Sequence, residues 1–546
     1  GPGSTVLWSS YHDADRMQQR QKQEAARAAL GYVPTRLTHR SDMRIARVVI
    51  GTHAQLIAEF RDGVDNGIRQ CSGKPRGIVF VDEHPELVDV SAIKPSAAQE
   101  LHDLLVAVQP AHCWLPVLSR MVATMSAVMR SEGQTYQPVA LLTPEEGNLF
   151  CTNTREHIRP LVDFDVSADD RRAQEVALLG IVDFIRAAAK GCAFYTRTEK
   201  TFVGYRLLFT NDYPGLVLLD ATADLAGLVT LSQHVAEPKS LPVDYSPLEL
   251  FSIYLPAEFR GMTQVMGSKD RAVQYGAWVK ATVLANTEPG DDVLVIAHKD
   301  PVRLGFIPAS EDAAIPSDWD GRRVNAETWG DGVGLNKWRD KTHVFTFGDH
   351  FLPRSKIIAD VHALSGLPLT AEVTKNAEGV KVADGEYAPR GPYRKPFDGV
   401  RLRWLKQLSM RGKARHIDDD GRCLPMKLFT SATTGLLLNN LDRLFPGCRP
   451  PKRANAAEGV TLAPPKMGRR GSLINLLETT PEVLMGADMV ERATGIPPNH
   501  LRREFDSATV QTFAKAYGWT LVPAREVRKP GRLLYLFRDP RFAENP

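Results

Sequence analysis

Three short apolar runs open the chain: Val6-Leu7-Trp8, Ala46-Arg47-Val48-Val49-Ile50 and Gly77-Ile78-Val79-Phe80-Val81. The stretches between them have helical composition; Asp13–Leu30, for example, is rich in Ala, Gln, Arg and Glu and contains neither Gly nor Pro. Buried strands alternating with helices at this spacing predict a parallel sheet covered by helices. Such a sheet gathers its ligand chemistry at the carboxyl ends of its strands. The third run delivers Asp82-Glu83-His84 to that position, and a later run, Gly215–Leu219, delivers Asp220-Ala221-Thr222.

At 546 residues the chain exceeds the size of a single core, so several domains are expected. A net charge of +4 is too small to argue for nucleic acid alone, but the stretch from Arg443 to Arg470 is strongly basic, as a solvated surface or a binding segment would be. Six scattered cysteines without a CxxC pair support neither a disulfide framework nor a cysteine-rich zinc site, and fit a reducing, cytoplasmic setting. No apolar run is long enough to span a bilayer and no signal peptide is visible, so no membrane partner is expected. HExxH and HxE…PCxxC are both missing, and His12, His53, His84, His298, His343 and His350 have no metal-site spacing.

The expected fold class is α/β. Residues 5–87 and 213–240 form a first parallel-sheet domain, interrupted at 88–212 by a mainly helical insertion with helices over 96–131 and 170–190. A second such domain spans 241–442, with strands at Val293–Ala297 and Thr342–Phe347. Residues 443–473 read as a basic linker or ordered loop. In 474–546 a short helix ends at Gly495, a second runs from Leu501 to Tyr517, and Trp519–Val522 pairs with Leu533–Phe537 as a hairpin. That is a winged-helix-like layout.

Paired carboxylates at a strand end, Asp82 and Glu83, can together hold Mg²⁺ through water and polarise an attacking water. Asp220 and Thr222 offer a carboxylate and a hydroxyl able to couple nucleotide state to neighbouring elements. Gly334 and Asn336 lie in a Gly-Val-Gly-Leu-Asn stretch that lets backbone approach a ligand. Gln407, Arg411 and Arg415 put a polar amide and guanidinium groups on one segment, suited to charge on phosphoryl oxygens.

In this order the set resembles the motor core of superfamily 2 helicases and translocases over roughly residues 5–430. Val6–Tyr11 is similar to that family's first motif after the phosphate loop. Ile50-Gly51-Thr52-His53 is similar to its backbone-contacting motif, Asp82-Glu83-His84 to its Walker B box, Asp220-Ala221-Thr222 to its Ser-Ala-Thr motif, and Gln407–Arg415 to its arginine-finger motif. The resemblance implies two RecA-like domains clasping ATP and Mg²⁺, with nucleic acid lying across both near Thr52 and His53; DNA is favoured over RNA as that partner, a choice the sequence does not decide. It departs from the family in Asp for Ser at 220, in His84-Pro85 within the Walker B box, and in an Arg415 that falls one residue late.

The Gly-rich loop with Lys and Ser or Thr, expected before Val6, is missing from these residues. Gly1-Pro2-Gly3-Ser4 looks like the remainder of a cleaved tag, and the chain is expected to be either part of a longer polypeptide or a natural short form; by itself it is expected to hydrolyse ATP weakly or not at all. The rival expectation is a non-enzymatic DNA-binding scaffold or partner-recruiting replication factor on a degenerate motor fold. In the terminal module, Arg502, Arg503, Arg525, Arg528, Lys529 and Arg532 would meet phosphates, or the same face would contact protein. The insertion would either guide a strand or support the motor.

Overall fold

The computed structural model describes residues 4–8, 48–52, 56–57, 70–71, 74–75, 78–82, 87–151, 154–162, 166–208, 216–220, 222–226, 231–232, 243–259, 261–309, 315–330, 337–381, 387–432, 434–457, 469–527 and 534–542. The chain divides into two compact units: 1–237 with 352–380 and 387–397, and 238–351 with 381–386 and 398–546. Both contain parallel sheets, so the molecule is α/β as expected. The helix expected at Asp13–Leu30 lies outside the described residues.

In the first unit, β1 (Ser4–Trp8), β2 (Val48–Thr52), β3 (Ile78–Asp82) and β8 (Leu216–Leu219) form one sheet in the order β8-β3-β1-β2, every pairing parallel. Val79 and Val81 of β3 are buried, as the middle of a covered parallel sheet requires.

The same unit holds an antiparallel sheet within residues 88–212. It comprises β4 (Val88–Ile93), β5 (Tyr136–Pro138), β6 (Ala193–Thr196) and β7 (Thr201–Leu207), in the order β4-β7-β6-β5. Helices dominate this segment, but the sheet organises them, an element the helical expectation missed. The expected helix at 96–131 is two, α1 (Pro95–Val108) and α2 (Leu115–Arg130), because Pro110 cannot continue the first and Pro116 sits in the opening turn of the second. Strand period sorts the packing: Ala193, Tyr195 and Phe202 face α1, α2 and α3 (Ala168–Ala189), while Phe194, Val203 and Tyr205 face the other way.

That second face explains a domain boundary unlike the expected one. Helix α4 (Arg354–Ser365), placed by sequence in the second domain, packs Ile357, Ile358 and Val361 against Val88, Phe194 and Tyr205, and so belongs to the first unit. Its His362 accepts from the Tyr393 hydroxyl at 2.7 Å and donates Nδ1–H to the Leu367 carbonyl at 2.8 Å.

The second unit is built on a seven-stranded sheet. Its strands are β9 (Leu248–Ser252), β10 (Asp292–Ala297), β11 (Ser317–Trp319), β12 (Arg322–Thr328), β13 (His343–Thr346), β14 (Met426–Thr430) and β15 (Lys452–Arg453). The order is β11-β12-β10-β13-β14-β9-β15, parallel except for β11 against β12. Every residue from Val293 to Ala297 is fully buried, and Phe345 stacks on Phe429 at 4.3 Å between ring centres. Helix α5 (Arg394–Ser409) contributes residues from Asp398 onward to this unit.

The terminal module lies in the second unit with its own core of Leu473, Leu477, Val490, Phe513, Trp519 and Leu536. It begins with α6 (Arg469–Thr479), β16 (Leu484–Gly486) and α7 (Ala487–Thr494). The helix expected at 501–517 is two, α8 (Pro498–Phe505) and α9 (Ala508–Ala516), parted at Asp506-Ser507, residues whose side chains compete with helix continuation. The expected hairpin is present: β17 (Trp519–Pro523) pairs antiparallel with β18 (Leu534–Arg538), and β16 adds on β18. Among the described residues no helix is long and apolar enough to cross a membrane.

Candidate functional site

Because every pairing in the first sheet is parallel, its strands end on one side. The register sets Trp8 beside Thr52, Leu7 beside Val81 and Leu219 beside Asp82. Thr52, Asp82 and Asp220 therefore share one carboxyl edge. Beyond β8 the chain turns at once: the Thr222 hydroxyl and backbone N–H both donate to Asp220 Oδ1, at 2.6 and 2.8 Å. Thr222 is buried, at 2% exposure, whereas Asp220 is half-buried. This is an Asx turn in which a carboxylate at the strand end is tied to a buried hydroxyl.

Glu83, His53, Gly334, Asn336, Arg528, Lys529 and Arg532 lie outside the described residues. Carboxylates are ligands of the kind Mg²⁺ takes, and nothing of the Asp82 and Thr52 side chains is among the described features of this edge. The sequence supplies no Gly-rich loop with a Lys to cradle a triphosphate. Among the described residues no cluster of three or more His, Cys, Asp or Glu could hold a metal.

The arginine-bearing segment lies in the second unit. Gln407, on α5, is half-buried, and its buried Oε1 has no hydrogen-bond partner among the described residues. Arg411 is buried, at 5% exposure, and Arg415 is exposed. Gly412 holds this loop against the amino ends of β13 and β14. A Cβ there would fall 2.5 Å from Met426 Sδ, 2.7 Å from Val344 Cγ2 and 3.0 Å from the Lys341 carbonyl. Lys413 N–H also donates to that carbonyl, at 2.8 Å. Gln407, Arg411 and Arg415 are thus held on one short segment.

A second polar cluster, which sequence reasoning passed over, sits at the carboxyl edge of the seven-stranded sheet. Beyond β13 the chain reads Phe347-Gly348-Asp349-His350, an apolar strand followed by an acid and a histidine. Asp349 pairs at 2.5 Å with Arg401 of α5, their side chains 13% and 4% exposed. The Arg401 guanidinium lies over the Phe351 ring at 5.0 Å. Gly348 takes φ +79°, and a Cβ there would fall 2.4 Å from His298 Nε2. Burial pushes His298 below the usual histidine range against the pull of Asp349. It pushes His350 down to about 4, with His298 and Arg403 adding to the effect. The same signal as Asp82-Glu83-His84 was available here, and the buried arginine that answers it lies 52 residues away.

Other sequence candidates settle into packing. Trp114, Trp278 and Trp338 are buried, and His343 stacks on Phe429 inside the sheet. Trp404 is half-buried with its ring 4.5 Å from that of His350. In the terminal module Arg502, Arg503 and Arg525 are exposed. Arg503 and Arg470 both bond Glu504 and hold its carboxyl below the usual carboxylate range. No protein-family model matches the chain, and a search of curated proteins finds no match.

Proposed function

We propose that the chain is the core of a nucleic-acid motor of the superfamily 2 helicase or translocase kind, with two RecA-like units and a DNA-binding winged-helix-like module, in a replication-related role. One observation supports this above the rest. The four strands carrying the post-phosphate-loop, backbone-contact, Walker B and Ser-Ala-Thr-like motifs lie side by side and parallel, so their ends share one edge.

In this reading Asp82 would hold Mg²⁺, which when bound with ATP neutralises charge on the phosphoryl oxygens. Glu83 would orient the attacking water and accept its proton. Thr222, bonded to Asp220, would pass the state of that edge to the helix that follows. Thr52 and His53 would contact the nucleic-acid backbone. Arg411, with Gln407 and Arg415 beside it, would answer charge from the second unit, and Gly334 and Asn336 would take part in coupling.

Without a phosphate loop among these residues, turnover by this chain alone is expected to be weak. The scaffold reading draws on the same fact. The test measures DNA affinity and DNA-stimulated ATP turnover on the chain, with Glu83→Gln as the partner variant. Salt-dependent DNA binding, with turnover below about 1 s⁻¹ that Glu83→Gln abolishes, supports the motor. Binding with no turnover above background fits the scaffold and a motor chain without its phosphate loop alike. The coding sequence upstream of Thr5 then separates them, a GxxxxGK followed by Ser or Thr deciding for the motor. No binding to any oligonucleotide defeats both.

A further inference from the structure

The terminal module carries an arginine cluster that is assembled rather than scattered. Arg470, near the start of α6, donates Nε–H to Glu504 Oε2 at 3.1 Å, and Arg503 of α8 donates Nη2–H to Oε1 at 2.8 Å. The Glu504 side chain is only 8% exposed, while those of Arg470 and Arg503 are 45% and 63% exposed. The carboxylate is thus covered by the two guanidinium groups it holds. Next to them, Arg469 donates to His500 Nδ1 at 3.4 Å, and Arg502 is exposed. Another exposed arginine, Arg453, donates to Asn475 on α6 at 3.1 Å.

A surface carboxylate that met a single arginine would cancel its charge. One carboxylate bridging two leaves the group cationic and fixes both forks, each bonded through one nitrogen of a group with five N–H donors. Held forks lose less side-chain entropy on meeting an oxyanion than free ones do. We propose that Arg469, Arg470 and Arg503 form a phosphodiester-binding site of the module, and that Glu504 is its positioning residue. The proposal rests on the nucleic-acid reading and adds to it: it brings in α6 and assigns an acidic residue a role in holding an anion.

The test uses the full chain and fluorescence anisotropy with labelled single-stranded and duplex oligonucleotides across a salt series. Arg470→Ala/Arg503→Ala is expected to weaken binding about tenfold near physiological salt and to lower the slope of log K against log salt by about two. Glu504→Gln is expected to weaken binding about threefold although it removes a negative charge, because the amide has one acceptor oxygen where the carboxylate has two and so releases one of the two guanidinium groups. Arg541→Ala, a surface arginine of the same module paired with Asp539, is the control expected to change neither quantity. An unchanged slope in the double variant, or tighter binding by Glu504→Gln, overturns the proposal. So does displacement of the oligonucleotide by poly-glutamate as readily as by unlabelled DNA. Should Glu504→Gln fail to fold, the double surface variant decides alone. Absence of binding by the unaltered chain would instead defeat the functional reading beneath the proposal.

Discussion

Two parallel sheets in this molecule each end an apolar strand in an acid next to a histidine, and their surroundings differ. Beyond β13, Asp349 meets the buried guanidinium of Arg401, with His298 and His350 kept neutral by burial, so the charge is answered within its own unit. In the first sheet, Asp82 and Asp220 share an edge with Thr52, and Asp220 bonds the hydroxyl and N–H of its own turn. In the proposed function the same short signal serves two ends: the distant arginine that closes on Asp349 ties two elements of its own unit together, and the edge that carries Thr52, Asp82 and Asp220 would take a ligand.

The comparison can be broken most forcefully at Arg401. Arg401→Ala leaves Asp349 buried without its partner, and a loss of about 3–5 kcal/mol is expected in chemical denaturation. A loss below about 1 kcal/mol would place the pair with ordinary surface bridges. Gly412→Ala is expected to cost about 1–3 kcal/mol, because its Cβ meets the Lys341 backbone as well as movable side chains. Denaturant midpoints of the two variants give the ranking directly.

Acid sharpens the contrast. The folded-state pKa of His350 is pushed down to about 4 from an ordinary value of 6.5, so the unfolded chain binds more protons in between. The stability this histidine contributes is complete above 6.5 and is lost as pH falls toward about 4. His298 is shifted the same way, opposed by Asp349 and Asp300. His350→Gln is expected to flatten the fall in unfolding free energy across that window, and an unaltered slope would count against it. The smallest effect is expected at Thr222→Val, which removes one hydroxyl–carboxylate bond and should cost about 1 kcal/mol. If that bond couples nucleotide to nucleic acid, the variant also uncouples ATP turnover from DNA while leaving DNA affinity in place.

Much of the architecture was legible because parallel-sheet strands are nearly continuous apolar runs. The strands at Ser4–Trp8, Ile78–Asp82, Leu216–Leu219 and Asp292–Ala297 all lie within a residue or two of the expected positions. Helix continuity was read less well. The breaks at Pro110 and at Asp506-Ser507 sit in stretches whose apolar spacing continues on both sides. Placing α4 in the first unit required a long-range packing choice, Ile357 and Val361 against β6 and β7, which no local pattern encodes. The two-residue spacing of Asp220 and Thr222 was legible, but the bond within their turn was not inferred from it. The Asp349–Arg401 and Arg470–Glu504–Arg503 groups were not legible, since each joins residues on separate elements.

The claim that one acidic edge serves chemistry and the other serves folding is tested most directly by melting Asp82→Asn and Asp349→Asn side by side under identical buffer conditions. Residues kept for a ligand rather than for the core are often neutral or stabilising to remove, so Asp82→Asn is expected to melt at or above the unaltered chain and Asp349→Asn clearly below it. A large drop for Asp82→Asn, with Asp349→Asn unchanged, would contradict the account.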